Sequence, residues 1–102
     1  MITIVAKLKA AEGKADDLKA VLTEMVGNVK QHESAQVPVY SLHTSDEDPS
    51  TFLFYEQYSS AEGADAHGKT DHMRTMGRAL RDQSLLAGAP VIERYTWIAG
   101  VS

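Results

Sequence analysis

Two histidines stand five positions apart in the stretch "AHGKTDHM" (66–73), in a chain without cysteine. Imidazole has an ordinary pKa of about 6.5, so it can take and return a proton near neutrality. His67 and His72 are therefore the first candidates for acid–base chemistry, although taken alone either also reads as a surface or capping residue. Glu56 is the third candidate, because it interrupts the apolar run "TFLFYEQY" (51–58). A carboxylate among apolar neighbours needs a partner or a purpose. Arg74 and Arg94 are available as ion-pair partners; the alternative is a polar anchor at the rim of a ligand pocket. Asp65, Asp71, His32 and His43 complete the titratable set. His32 closes an amphipathic segment, where a cation suits a helix C-terminus, and His43 shares one strand face with Ser41 and Val39.

Metal chemistry is not expected from this pattern. A spacing of five is not the i, i+4 pair that binds metal from one helix face, and the only carboxylates nearby in sequence are Asp65 and Asp71. Thiolate zinc sites, disulfides and cysteine nucleophiles are excluded by composition. There is no phosphate-cradling glycine loop and no nucleophile elbow, so the standard nucleotide and flavin fingerprints are absent.

The elements that must position these groups follow from periodicity. "ITIVAKLKA" (2–10) reads as a strand. Leu18, Val21, Leu22, Met25, Val26 and Val29 recur at helical spacing and predict an amphipathic helix over 13–32. Pro38 confines the next strand, 37–45, to a sheet edge. "DEDPS" (46–50) is a turn, and 51–58 is the strongest strand. Ser59 to Glu62 fits a capping box that opens a short helix ending at Gly68. Thr70 then caps a second helix through about Ser84, with Met73, Met76 and Leu80 on its buried side. "VIERYTWIAG" (91–100) is the last strand. The order is βαββαβ, a ferredoxin-like α+β fold with an antiparallel sheet and helices on one face.

The sheet has a second apolar face. Leu53 and Tyr55 oppose Phe52, Phe54 and Tyr58, and in the last strand Val91, Tyr95 and Trp97 oppose Ile92, Thr96 and Ile98. One helical layer covers one face only. The simplest cover for the other is a second copy of the chain, so a homodimer packed sheet on sheet is expected. Tyr40, Tyr55, Tyr58, Tyr95 and Trp97 crowd the strands. They read first as core, and secondarily as flat walls for an aromatic ligand.

The 102 residues make one domain, and the formal net charge of −4 with scattered Lys and Arg argues against nucleic acid and anionic membranes as partners. The start of the chain does not read as a signal peptide, and no window approaches a membrane span, so a soluble, cytoplasmic protein is expected.

Together these residues resemble a known family. "FLFYEQYSSAEGADAHGKTDHMRTM" (52–76) is similar to the signature of antibiotic biosynthesis monooxygenase (ABM) domains: an apolar strand ending in Tyr55, Glu56 and Tyr58, an acidic helix start, Ala66-His67, then Thr70, His72 and Met73. The segments "EGKADDLKAVL" and Tyr40 before "LHTSDEDPSTF" also match. Two departures stand out. "HESAQVP" replaces a Glu-x-Gly-Cys type turn, and Asp71 replaces a proline before His72, where it places an acid beside that ring. The resemblance implies a dimeric α+β barrel with a pocket between sheet and helices. It also implies oxidation of a small aromatic, quinol or polyphenol-like, by O2 without cofactor. On that reading His72 is base or proton shuttle, His67 positions the substrate oxygen and Glu56 orients one of them. Tyr40 and Trp97 wall the ring, and Met73 lines the same pocket. A heme-degrading branch is not expected, because Ala6, His67 and Gly77 stand where it places its Asn, Trp and axial His. Two rivals use the same fold: an isomerase or lyase on a small polar or phosphorylated metabolite, with Lys69 and Arg74 available for phosphate, and a non-enzymatic dimeric small-ligand binding module.

Overall fold

The structure, a computed structural model, describes residues 1–101. The elements run β1 (Ile2–Lys9), α1 (Ala15–His32), β2 (Val39–Thr44), β3 (Thr51–Tyr58), α2 (Ala61–His67), α3 (Asp71–Asp82) and β4 (Val91–Thr96). The βαββαβ order holds, with the second crossover split into two helices. The strands form one antiparallel sheet in the order β2-β3-β1-β4. The strand carrying Pro38 at its threshold lies at an edge, where a missing N–H costs no ladder bond.

Register explains where elements stop. β4 ends at Thr96 rather than Gly100: Thr96 pairs with Ile2, the first residue of β1, and one further bond runs from the Trp97 backbone N–H to the Met1 carbonyl. α1 starts two residues later than its periodicity suggests. Gly13 has φ 77°, a left-handed conformation that glycine adopts without penalty, and it turns the chain into the helix. The cap of α2 is Ser60, not Ser59, and its Oγ accepts from the Gly63 N–H. α3 ends in a Schellman-type closure: Ser84 N–H donates to the Arg81 carbonyl and Leu85 N–H to the Leu80 carbonyl, with Ser84 at φ 51°.

The core lies between the helices and one sheet face. Leu18, Leu22, Met25 and Val29 of α1 meet Phe52, Phe54 and Tyr58 of β3, and Leu85 is completely buried below the end of α3. β4 by contrast is exposed along its whole length. No helix among the described residues is long and apolar enough to cross a membrane.

The junction of α2 and α3 depends on Thr70. Its hydroxyl donates to the His67 carbonyl and accepts from the Met73 N–H, so one side chain joins the end of one helix to the start of the next. Thr70→Ala should cost about 1 kcal/mol, seen as a lowered urea midpoint with an unchanged slope.

Candidate active site

α3 packs on α1 and stands away from β1 and β4. The gap is a cavity of about 340 Å³, walled by Ile4, Ala6 and Phe54 from the sheet and by Met73, Met76 and Leu80 from α3. Its walls are overwhelmingly apolar. Among the residues that line it, the titratable ones are Tyr40, Glu56 and His67. Alternation along β3 places Glu56 on the helix-facing side with Phe54 and Tyr58, opposite Tyr40 on β2 and Ile4 on β1.

Glu56 is 4% exposed and pairs with neither arginine. Arg94 binds Asp65 at 3.0 Å and Arg74 binds Asp71. Instead the Tyr58 hydroxyl donates to Glu56 Oε1 at 2.5 Å. Burial pushes the Glu56 carboxyl up to about 7; the bond from Tyr58 works against this and the negative charge of Glu33 adds to it. Burial also drives the Tyr40 and Tyr58 hydroxyls far above their ordinary range, with Glu56 reinforcing both.

His67, 5% exposed, is held through one ring nitrogen, with the other turned toward Glu56. Its Nδ1 lies 3.1 Å from each oxygen of Glu33, and its Nε2 lies 4.0 Å from Glu56 Oε1. A carboxylate can only accept, so the Nδ1 N–H donates to Glu33. In the neutral ring that bond fixes the tautomer and leaves the Nε2 lone pair on the side of Glu56. The rings of Tyr40 and Tyr58 stand 5.3 and 5.5 Å from the imidazole.

The same Glu33 also receives His72, whose Nε2 lies 2.5 Å from Oε2. His72 is not part of the cavity wall; it faces a groove between α1 and α3 with Met25 and Thr75, and stacks on His32 at 5.7 Å. It reaches the cavity only through Glu33 and His67. The acid beside His72 is thus Glu33, not Asp71, whose side chain is 93% exposed and bound to Arg74. Of the predicted wall residues, Tyr40 and Met73 line the cavity. Trp97 does not: it lies beyond β4, its backbone N–H donating to the Met1 carbonyl and its ring packed against Gly100. His43 bonds Ser41 Oγ on an exposed edge strand.

Glu33 escapes a reading of local spacing because it lies 34 residues before His67. One sign was there: an acid at the C-terminal end of a helix opposes the dipole, which asks for another reason for its presence. Glu33, His67 and His72 also offer three metal-ligand atoms within 4.8 Å of one another, a set that the neighbouring Asp65 and Asp71 do not provide. Two imidazoles and a carboxylate suit zinc or ferrous iron. Here His67 Nδ1 and His72 Nε2 each donate to Glu33, and no buried side-chain polar atom among the described residues lacks a partner. Hydrogen bonding alone accounts for the cluster.

A ferredoxin-like α+β domain with a buried acid–base pair opening into an apolar cavity is the class of protein that this geometry defines. Residues 1–79 match the family model for antibiotic biosynthesis monooxygenase, and the chain belongs to that family. A candidate antibiotic biosynthesis monooxygenase from Caulobacter crescentus is 32% identical with a TM-score of 0.87, over 96% of this chain and 90% of that one. A Pseudomonas aeruginosa protein is 26% identical with a TM-score of 0.84, over 96% and 94%. A protein from Deinococcus radiodurans, 17% identical with a TM-score of 0.87 over 100% and 97%, shares the fold. No curated protein shows significant sequence similarity to the chain.

The raised Glu56 carboxyl makes stability depend on pH. The folded chain keeps a proton that the unfolded chain releases between 4.5 and about 7. The resulting advantage is complete below the unfolded value and is lost as pH rises through the folded one. Glu56→Gln cannot ionise and should gain on the wild type between about pH 5 and about pH 8, by up to about 3 kcal/mol. Urea denaturation across that range provides the check, with His67, Glu33, Tyr40 and Tyr58 present in both proteins.

Proposed function

We propose that the protein is a cofactor-independent monooxygenase acting on a small, electron-rich aromatic of the quinol or polyphenol type. The observation that carries this is His67: Nδ1 is tied to Glu33, and Nε2 sits beside Glu56 at the wall of an otherwise apolar cavity. A flat apolar ligand loses water on entering and meets a base at one edge only.

The pair His67 and Glu56 takes the proton of a ring hydroxyl. The electron-rich anion gives an electron to O2, and the two radicals combine at a ring carbon to form a hydroperoxide. Loss of water leaves a new ring carbonyl. One oxygen atom ends in the product and the other in water, so O2 is the sole oxidant. The protein supplies the base, the orientation and the dry surroundings. Tyr40 and Met73 bear on the ring. In this reading the roles of the two histidines exchange: His67 moves the proton, and His72 acts at a distance by holding Glu33.

The second face of the sheet bears on assembly. Tyr55 is 37% exposed and Tyr95 50%, on the side opposite the helices. We propose that a second copy covers this face. A dimer should sediment at micromolar concentration, and Tyr55→Lys with Tyr95→Glu should shift it to monomer.

His67→Ala should lower consumption of O2 with a panel of naphthohydroquinones by roughly 10²-fold or more. His72→Ala should lose less. Isotopically labelled dioxygen should place one labelled atom in the product. No consumption across the panel by the wild type would leave the isomerase or binding-module reading in its place.

A further inference from the structure

The wall of the cavity is incomplete at Gly77. On α3, successive residues turn by about 100°, so Met73, Gly77 and Leu80 share the stripe that faces the cavity. Continuing round the helix from Gly77, the next positions are Arg81, Arg74 and Arg78. These three arginines, with Gly68, Met73 and Gly77, line a second open groove of about 380 Å³. The two spaces share Gly68, Met73 and Gly77. At the centre of this shared wall Gly77 contributes no side chain, and a Cβ built there would lie 3.6 Å from Arg81 Nη1.

The charge at this rim runs against that of the molecule. The chain as a whole is formally −4, yet one edge of one helix gathers three guanidinium groups. Arg74 is bound to Asp71 and to the Lys69 carbonyl. Arg78 and Arg81 make no ion pair among the described residues. Guanidinium presents a planar fork of donors suited to carboxylate, sulfonate or phosphate oxygens. An apolar cavity joined to a cationic groove across a glycine is shaped for a ligand with two unlike ends.

We infer that the substrate is an aromatic bearing an anionic group, with its ring in the cavity and its anion on Arg81 and Arg78. This rests on the proposed aromatic site and adds the chemical class of its ligand. The arginines are specificity-determining, not catalytic: they lie outside the cavity and touch only the substituent.

Binding can be separated from turnover by working without oxygen. The probes are a dihydroxynaphthoate and the dihydroxynaphthalene that lacks its carboxylate, titrated calorimetrically into the full chain. The wild type should prefer the carboxylate by roughly 5- to 10-fold at low salt, and added salt should erode the preference. Arg78→Ala with Arg81→Ala should abolish it while leaving the neutral ring's affinity unchanged. Arg78→Glu with Arg81→Glu should invert it. Both positions are exposed, and the neutral probe reports whether the cavity has survived. Equal affinities in the wild type, or a preference that persists in the double variants, would overturn the inference and leave the aromatic site standing. Failure of both probes to bind would overturn the two together.

Discussion

Everything at this site hangs on one carboxylate shared by two imidazoles. Glu33 follows the last residue of α1, His67 ends α2 and His72 is the second residue of α3. With the Glu33 side chain 11% exposed, a lone charge there would be strongly disfavoured, and two N–H donors repay its desolvation. The same bonds fix where three helices converge and which nitrogen of His67 carries its proton. Architecture and acid–base state are therefore set by a single group, and moving it would disturb both.

The cavity exists because the sheet is wider than its cover. α1 lies over β2 and its apolar stripe joins Phe52 and Phe54 in the core. α3 rests on α1 and is carried away from β1 and β4 by the α2–α3 junction. Ile4, Ala6 and Ile92 on that part of the sheet line the gap. A chain of 102 residues has few such residues to leave unpacked. The stability forgone lies beside Glu56 and His67, as the proposed role of the cavity in admitting a ligand requires.

Much of the fold was legible because period, proline and glycine speak locally. β3 runs over 51–58 as its composition indicates, and Pro38 marked the edge strand correctly. Thr70 was recognisable as a cap because its hydroxyl serves an amide three residues on. What failed to show depends on partners distant in sequence. The end of β4 is set by where β1 begins, and the partner of both histidines comes from the far end of α1. Glu56 stood out from its strand, but the bond that holds it comes from Tyr58 on the same face, not from a cation. His72 looked equivalent to His67 because spacing alone does not say which ring reaches the cavity and which the groove behind it.

Two of the cavity's helical wall residues are methionines, Met73 and Met76. Thioether chains have three rotatable bonds and a soft, polarisable sulfur, so they mould to a guest instead of prescribing its outline. For the aromatic substrate proposed above, a lining of this kind would discriminate poorly between one fused ring system and another. Selectivity is left to the polar edge, and small changes in the shape of the guest can be absorbed without altering a single residue of the scaffold.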